Sequence, residues 1–407
     1  MKRSLIPLIL LFVIVLSAGQ VYGGADITAS GEVRVRCEYN NNTDESFNKD
    51  DATVHQTLMR TRLNINAEIN DNASIFMQFQ DSRRFGDPES GDVGDHGDVY
   101  LHQGYITVNQ LWNNGIGVKI GRFEVKTGNE RVLGAVGWSN VGRVWDGTQF
   151  FCNSDNIDFT GYWLRPRDDF NEVENSDFDI FGISANLKTI NLELFGFYLK
   201  DAVKPIPADS SINRVEGMVF GLYHFREHNQ FDFTLNAVYQ TGKYALGSEY
   251  DVAAYLITFE AGYTFDSNMN PRLAAGIDLA SGDDEFADDK YSAYYEYAYT
   301  GHKFRGYMDY FVASEPAGLI DIMLRGKLNP VDGWTVKGDF HLFSSAVEYN
   351  ANGDKSYGSE FDLTVSTSKI SGVKFDAGFS MFMPSEKWQG DDAETALWYY
   401  LMMTAGF

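Results

Sequence analysis

Apolar and polar residues alternate with a period of two along several stretches of the chain. In residues 54–69, Met59 and Leu63 share one parity, and Arg60 and Arg62 share the other. Successive side chains of a β-strand point to opposite faces, so this pattern predicts strands with one apolar and one polar face. The same alternation returns in three later segments, 230–240, 334–346 and 372–383.

The chain also ends on a strand of this kind. A soluble protein rarely exposes a long apolar edge strand, because unpaired edges promote aggregation. A terminal Phe with this alternation resembles the C-terminal assembly signal of bacterial outer-membrane barrels, and we predict that role for Phe407, Tyr399 and Leu401. Counting back from the last residue in steps of two gives an unbroken apolar face: Phe407, Ala405, Met403, Leu401, Tyr399 and Leu397.

The first residues of the chain predict export. A short basic head precedes a nearly continuous apolar run from Leu5 to Leu16, and small residues follow up to Gly23. This is the arrangement of a secretory signal peptide, which we place at residues 1–23. The apolar run is short for a helix that spans a bilayer, and a retained N-terminal anchor is the alternative.

Strand-like segments then continue to the end of the chain, and aromatic residues make up 15% of the sequence. An export signal, alternating strands and no apolar 20-mer are typical of a transmembrane β-barrel; a β-sandwich is the alternative.

Both chain ends of such a barrel lie on the periplasmic side, so its number of strands is even. The segment around 301–311 must therefore belong to a loop. We therefore predict, over residues 24–407, a single closed antiparallel barrel of about 18 strands with an aqueous lumen. Short periplasmic turns alternate with long acidic extracellular loops, and 121–147 and 281–318 are expected to be pore-associated loops.

Several stretches resemble the alginate-export family of outer-membrane barrels. The resemblance implies a barrel of about eighteen strands that passes anionic polysaccharide or other small solutes. The stretches that carry it are Gly121-Arg122-Phe123-Glu124 with the continuation to Arg143-Val144-Trp145-Asp146-Gly147, then His302-Lys303-Phe304-Arg305-Gly306-Tyr307-Met308-Asp309, and finally Gly358-Ser359-Glu360-Phe361-Asp362-Leu363 with Phe382-Met383-Pro384.

The first of these stretches is rich in cations for so acidic a chain. In a loop folded into the lumen, its cations would face Glu124, Glu130 and Asp146, and the transverse field would attract charged solutes. The alternative, which is compatible with the first, is that the arginines pair with carboxylates and make the loop rigid. The cations in question are Arg122, Lys126, Arg131 and Arg143.

The second stretch combines His302, Arg305 and Asp309 with several aromatic residues. Aromatic faces stack on sugar rings and cations bind carboxylates, so this stretch is a candidate for contact with a saccharide. The alternative, which we favour, is a loop that packs its aromatic side chains against the inner wall.

Charged residues also occupy the polar register of the predicted wall. Arg60 and Arg62, together with Arg34 and Arg36 on the preceding strand, form a candidate positive ladder. A larger number of carboxylates shares the inward register, so the sign of the ion selectivity stays open at this point. Further inward-facing cations are Arg272, Arg325, Lys327, Lys337 and Lys374.

Charge and composition limit the classes of molecule that the chain is expected to bind. The formal net charge of −24 argues against nucleic acid, whereas a barrel implies outer-membrane lipid, lipopolysaccharide and the barrel assembly machinery. No cofactor is expected; calcium or magnesium on the acidic stretches 87–98 and 281–285 is possible in principle, but we favour a solvated acidic surface. Cys37 falls in the lipid-facing register, so we expect no structural disulfide with Cys152.

These observations together predict a channel. We expect an outer-membrane pore of a Gram-negative bacterium for passive diffusion or export of small or anionic solutes, anionic saccharides among them. An adhesive or structural barrel without conductance is the alternative. We do not expect an enzyme, because the seven histidines are scattered and none forms a Ser/His/Asp grouping.

Overall fold

The computed structural model describes residues 24–42, 47, 53–86, 99–167, 178–201, 214–245, 249–284 and 289–407 of the chain. The predicted signal peptide, residues 1–23, and the acidic stretch 87–98 lie outside the described residues.

Eighteen strands form one closed antiparallel wall. The four segments with the clearest alternation in the sequence all lie on strands of this wall. The strands are β1 (Asp26–Asn40), β2 (Val54–Asn70), β3 (Ala73–Arg84), β4 (Tyr100–Val108), β5 (Gly117–Phe123), β6 (Trp145–Asn153), β7 (Ile157–Arg167), β8 (Phe178–Leu187), β9 (Leu192–Asp201), β10 (Arg214–His228), β11 (Phe231–Ala245), β12 (Glu249–Thr264), β13 (Arg272–Ala280), β14 (Leu319–Leu328), β15 (Trp334–Ser344), β16 (Ser356–Ile370), β17 (Val373–Pro384) and β18 (Ala396–Gly406).

The wall closes between its first and last strands. β18 pairs with β1 through nine pairs of residues, from Glu32 opposite Gly406 to Asn40 opposite Trp398. Beyond that register, Gly31 and Phe407 exchange two backbone hydrogen bonds of 3.1 Å each. Elsewhere each strand pairs with the next along the chain, β13 with β14 included. A closed barrel has no free edge, and the predicted fold class is therefore confirmed.

The outer face of the wall is apolar. Side chains in the outward register are well exposed, for example Ile183 (70%) and Leu401 (66%). At the seam, Tyr39 of β1 stacks on Tyr399 of β18 with ring centroids 4.5 Å apart. Apolar side chains that no protein atom covers on a closed barrel are the surface that hydrocarbon covers in a membrane.

Helical structure is minor. Among the described residues it consists of two single-turn 3₁₀ segments, Leu111–Asn113 and Gly301–Lys303, and one short α-helix, Glu386–Gln389. Within the described ranges, no helix has the length and apolar character needed to cross a bilayer. The segment around 301–311 lies outside the wall, as the even strand number predicts.

Two connections fold into the lumen and join each other there. We call residues 124–144, between β5 and β6, the first inner loop, and residues 289–318, between β13 and β14, the second inner loop. Leu133 and Ala298 form a parallel β-bridge between them, and Gly134 N–H donates to the Ala298 carbonyl over 2.9 Å. A buried aromatic contact, Phe311 against Phe343 of β15 with centroids 4.5 Å apart, packs the second loop on the wall.

Candidate functional site

The arginines of the first two strands hold the first inner loop. Arg34 and Arg60 both donate to the carbonyls of Gly137 and Ser139, over distances of 2.9 to 3.1 Å. Both side chains are almost fully buried, at 5% exposure. Arg60 also pairs with Glu32 at 2.8 Å. These guanidinium groups bind backbone carbonyls of the protein itself, which are acceptors that a buried loop must satisfy.

Arg62 belongs to a second buried network at the start of the same loop. Its Nε donates to Gln80 over 2.6 Å, and its two Nη atoms approach Glu124 at 3.5 Å and His102 at 3.2 Å. Burial alone would raise the pKa of Glu124, but the hydrogen bond with His102 and the charge of Arg62 lower it below its ordinary value. Glu124 is therefore a carboxylate that anchors the loop.

Arg143 joins the two inner loops. Its Nη1 donates to the carbonyls of Ala298 and Tyr299, the latter at 3.0 Å. Burial lowers the pKa of Arg143 to about 10, because the site removes the guanidinium from water without supplying a carboxylate.

Arg131 and Arg305 form buried ion pairs. Arg131 pairs with Asp278 of β13, and burial lowers the Arg131 pKa despite the charge of Asp278. Arg305 pairs with Glu296 inside the second inner loop at 2.5 Å, with side-chain exposures of 1% and 3%. Burial alone would lower the pKa of Arg305, but the charge of Glu296 raises it above its ordinary value. These contacts follow the alternative in which the arginines make the loops rigid.

Arg122 and Asp146 do not face the lumen, and their prediction as pore residues is corrected. They form a two-pronged ion pair at 2.6 and 2.8 Å across β5 and β6. Arg122 lies on the same face of β5 as Ile120, which is 51% exposed, whereas Phe123 on the opposite face is fully buried. The pair therefore sits on the outer surface of the barrel.

An open vestibule lies between the inner loops and the rim that carries the short turns. It is a cavity of about 620 Å³. Seven lysines and arginines line it against four carboxylates, an excess of positive charge in a chain of strongly negative net charge. The cations are Lys126, Arg272, Lys303, Arg325, Lys327, Lys337 and Lys374, and the carboxylates are Glu130, Glu260, Asp339 and Asp376.

A row of cations crosses three adjacent strands of this vestibule. Arg272 of β13 lies opposite Lys327 of β14, and Lys327 lies opposite Lys337 of β15. Arg272 is paired, at 2.6 Å to Asp232 and 2.8 Å to Glu260. In the part of the chain that the structure describes, neither the Lys327 nor the Lys337 side chain has a hydrogen bond or an ion pair, and both residues are exposed. Like charges directly opposite each other repel, so this pair favours an anion between them.

Aromatic rings from both inner loops form one side of the vestibule. His302 stacks on Trp138 of the first loop, with centroids 4.3 Å apart, and on Tyr307 at 5.3 Å. Its Nδ1 lies 3.0 Å from Asp309, which fixes the ring. Arg36 of β1 covers the other side of Trp138, with its guanidinium carbon 4.1 Å from the ring centroid.

The structure thus separates the candidate residues into three groups, one of which is the pair on the outer surface, Arg122 and Asp146. Lys126 and His302 line the vestibule, and Asp309 orients His302. The remaining predicted cations other than Arg122 are inside the barrel but bind protein groups. The lysines opposite each other, Lys327 and Lys337, were predicted only as further inward cations. The register places no carboxylate directly opposite either lysine, because Lys327 faces Arg272 and Lys337, and Lys337 faces Thr364; Asp339, the nearest acidic residue along β15, lies opposite Arg325.

Comparisons with known proteins agree with this architecture. The model of the family described as alginate export matches residues 26–391. None of the curated protein sequences compared with the chain matches it.

Solved structures show the same fold at low sequence identity. OccK9 (OpdG) of Pseudomonas aeruginosa superposes with a TM-score of 0.65 at 11% identity, over 94% of this chain and 98% of that one. OccK2 (OpdF) of P. aeruginosa, solved with glucuronate, gives 0.60 at 14% identity over 94% and 98%. A BenF-like porin from P. fluorescens Pf-5 gives 0.60 at 13% identity over the same shares.

The family model covers most of the chain, and the closed wall, its apolar outer face and its hydrated inner vestibule are those of an outer-membrane pore. The chain therefore belongs to the alginate-export family and is an outer-membrane channel of the Gram-negative type.

Proposed function

We propose that the channel passes small organic anions and that Lys327 and Lys337 are the residues that attract them. The observation that carries this proposal is the pair of exposed lysines that lie opposite each other in the vestibule and form no ion pair with its described carboxylates. A carboxylate or phosphate held between two ammonium groups gains charge-assisted hydrogen bonds from both.

The neighbouring cations support the same direction of selectivity. Lys126 is exposed at the junction between the first inner loop and the vestibule. Arg325 and Lys374 are partly neutralised, by Glu260 at 3.2 Å and Asp376 at 2.7 Å respectively. A low-dielectric wall around such an excess of cations raises the local concentration of anions.

The aromatic cluster suits the carbon skeleton of the solute. Trp138, His302 and Tyr307 stack on one another and give the vestibule an aromatic side together with the lysines. A sugar ring or an aromatic ring can contact this side while its carboxylate reaches the lysines. Two structural relatives were solved with carboxylates of these two kinds, OccK2 with glucuronate and OpdK with vanillate.

Solute entry into proteoliposomes tests the proposal. Swelling rates are measured for glucuronate, glucose and glucosamine, which have similar ring size but different charge. We expect glucuronate to enter fastest and glucosamine slowest, and we expect K327Q/K337Q to reduce the difference. Equal rates for the three solutes would contradict anion preference, and no swelling with any of them would favour the adhesive or structural barrel.

A matched control removes two lysines outside the vestibule. Lys188 pairs with Asp158 at 2.7 Å, and Lys369 pairs with Asp332 at 3.0 Å. Since K188Q/K369Q changes the net charge by the same amount as K327Q/K337Q, it separates an effect of position from an effect of total charge.

A further inference from the structure

The outer face of the barrel carries a row of charged side chains, one on each strand from β5 to β12. Consecutive members are register partners, except at the bulge between β7 and β8, where Arg165 and Asp179 are joined by hydrogen bonds of 2.9 and 3.0 Å. The sign of the charge alternates at every step: Arg122, Asp146, Arg165, Asp179, Lys200, Glu216, Lys243 and Asp251. We call these eight residues the outer charge row.

These side chains share the register of lipid-facing residues. Asp179 has the parity of Phe181, which is 45% exposed, and Glu216 has the parity of Met218, which is 47% exposed. On β12, Asp251 likewise has the parity of Tyr255, Ile257 and Phe259. The outer charge row is therefore continuous with the apolar band and lies at its end nearest the inner loops and long connections.

The outer charge row covers only one part of the circumference. The outward positions of β13, β14, β15, β17 and β18, which are all described, contain no charged residue. Outside the row, β3 carries one further outward ion pair, Arg83 with Asp81. A long-connection rim that simply needed solvation would carry charge all round, whereas the outer charge row is an unbroken run over eight neighbouring strands, which indicates a surface for a particular partner.

Wall stability does not account for the two ends of the row, although Arg165 and Asp179 in its middle are less exposed, at 29% and 14%. Arg122 and Asp146 are 44% and 55% exposed, and Lys243 and Asp251 are 56% and 76% exposed and 4.0 Å apart. Exposed ion pairs of this kind contribute little to stability. Charges in contact with acyl chains are costly, so the row has to lie at the level of the lipid headgroups.

We propose that the outer charge row binds the phosphorylated headgroup of the outer-leaflet glycolipid, lipid A. In that leaflet, phosphates are bridged by divalent cations, so the headgroup layer itself alternates in sign. Arg and Lys side chains of the row donate to the phosphates, and its carboxylates bind the bridging cations, which prefer oxygen ligands. A row with alternating sign is complementary to such a layer, whereas a row of one sign would be complementary to the phosphates alone.

Lipid binding to the purified channel tests this proposal. Native mass spectrometry of the channel in detergent counts bound diphosphoryl lipid A, and the same lipid after enzymatic dephosphorylation is the comparison. With magnesium present, the unmodified channel should retain the phosphorylated lipid and lose most of that retention for the dephosphorylated one. Equal retention of the two lipids would overturn the proposal without any variant.

Two variants locate the site. K200Q/K243Q should weaken binding of diphosphoryl lipid A by roughly tenfold or more, since a basic residue near a charged membrane surface contributes appreciably to binding. K188Q/K369Q, which removes two ion-paired lysines at the rim with the short turns, should bind like the parent. Equal binding by K200Q/K243Q and the parent would place the lipid elsewhere and contradict the proposal.

Discussion

Two sets of cations face the interior of this barrel. One set is buried and bound to protein groups, and the other is exposed. Arg34 and Arg60 on β1 and β2 are buried at 5% exposure and bind carbonyls of the first inner loop. Lys327 and Lys337 on β14 and β15 are exposed and lie opposite each other. Both sets are inward by register, yet only the lysines are available to a solute.

The difference follows from the chemistry of the two side chains. A guanidinium group has five donors in a planar arrangement, so one arginine can satisfy several loop carbonyls that the barrel interior hides from water. An ammonium group is a compact and strongly hydrated charge, which suits a water-filled wall. In this channel, the arginines hold the first inner loop, and the lysines stay exposed in the vestibule.

The largest expected effect comes from a buried arginine. R305M leaves the carboxylate of Glu296 buried without its partner, so we expect a loss of about 3–5 kcal/mol in the free energy of unfolding. Urea titration of the refolded barrel measures it. The double variant R305M/E296M should recover most of the loss, because no unpaired charge remains. A single variant as stable as the double variant would show that the ion pair does not hold the second inner loop.

A smaller loss of stability is expected from a substitution at the contact that joins the two inner loops. R143M removes the donor that holds the carbonyls of Ala298 and Tyr299, and should cost about 1–3 kcal/mol in local stability. Hydrogen exchange of the first inner loop, residues 124–144, measures this loss.

The matched control for R143M is R122M, on the outer face, where an exposed ion pair is worth about 0–1 kcal/mol. Exchange in the first inner loop should be unchanged in R122M. If R122M accelerated exchange there as much as R143M does, the distinction between loop-building and outer arginines would fail.

Removing a lysine from the row should change the free energy of unfolding in the opposite direction. Because Lys327 and Lys337 are like charges directly opposite each other, K337Q should leave the free energy of unfolding unchanged or raise it by about 0.2–1 kcal/mol. The same urea titration measures this change. A loss of more than about 1 kcal/mol would mean that Lys337 makes a stabilising contact in the folded barrel.

The sequence was sufficient for the wall but not for the lumen. Alternation around Met59 and Arg60 predicts which side faces lipid, because hydrocarbon and water select opposite residues at neighbouring positions. The even strand number correctly assigned the segment around 301–311 to a loop, although its alternation resembles a strand. These are local or topological arguments, and a single sequence carries them.

The positions of individual charges were harder to predict, for two physical reasons. Above the apolar band the rule that charged residues face inward no longer applies, so Arg122 lies outside while its neighbour Phe123 is buried. Inside the barrel, the partners of Arg131 and Arg143 are more than a hundred residues away. Such contacts depend on how two loops meet, which no periodicity encodes.

The ion selectivity of single channels in a planar bilayer tests the central claim most directly. Under a salt gradient, the parent channel should give a reversal potential with the sign of anion selectivity. K327Q/K337Q should shift the reversal potential toward cations, and K188Q/K369Q should leave it at the parent value. A reversal potential that is the same in the parent and in K327Q/K337Q would contradict the account.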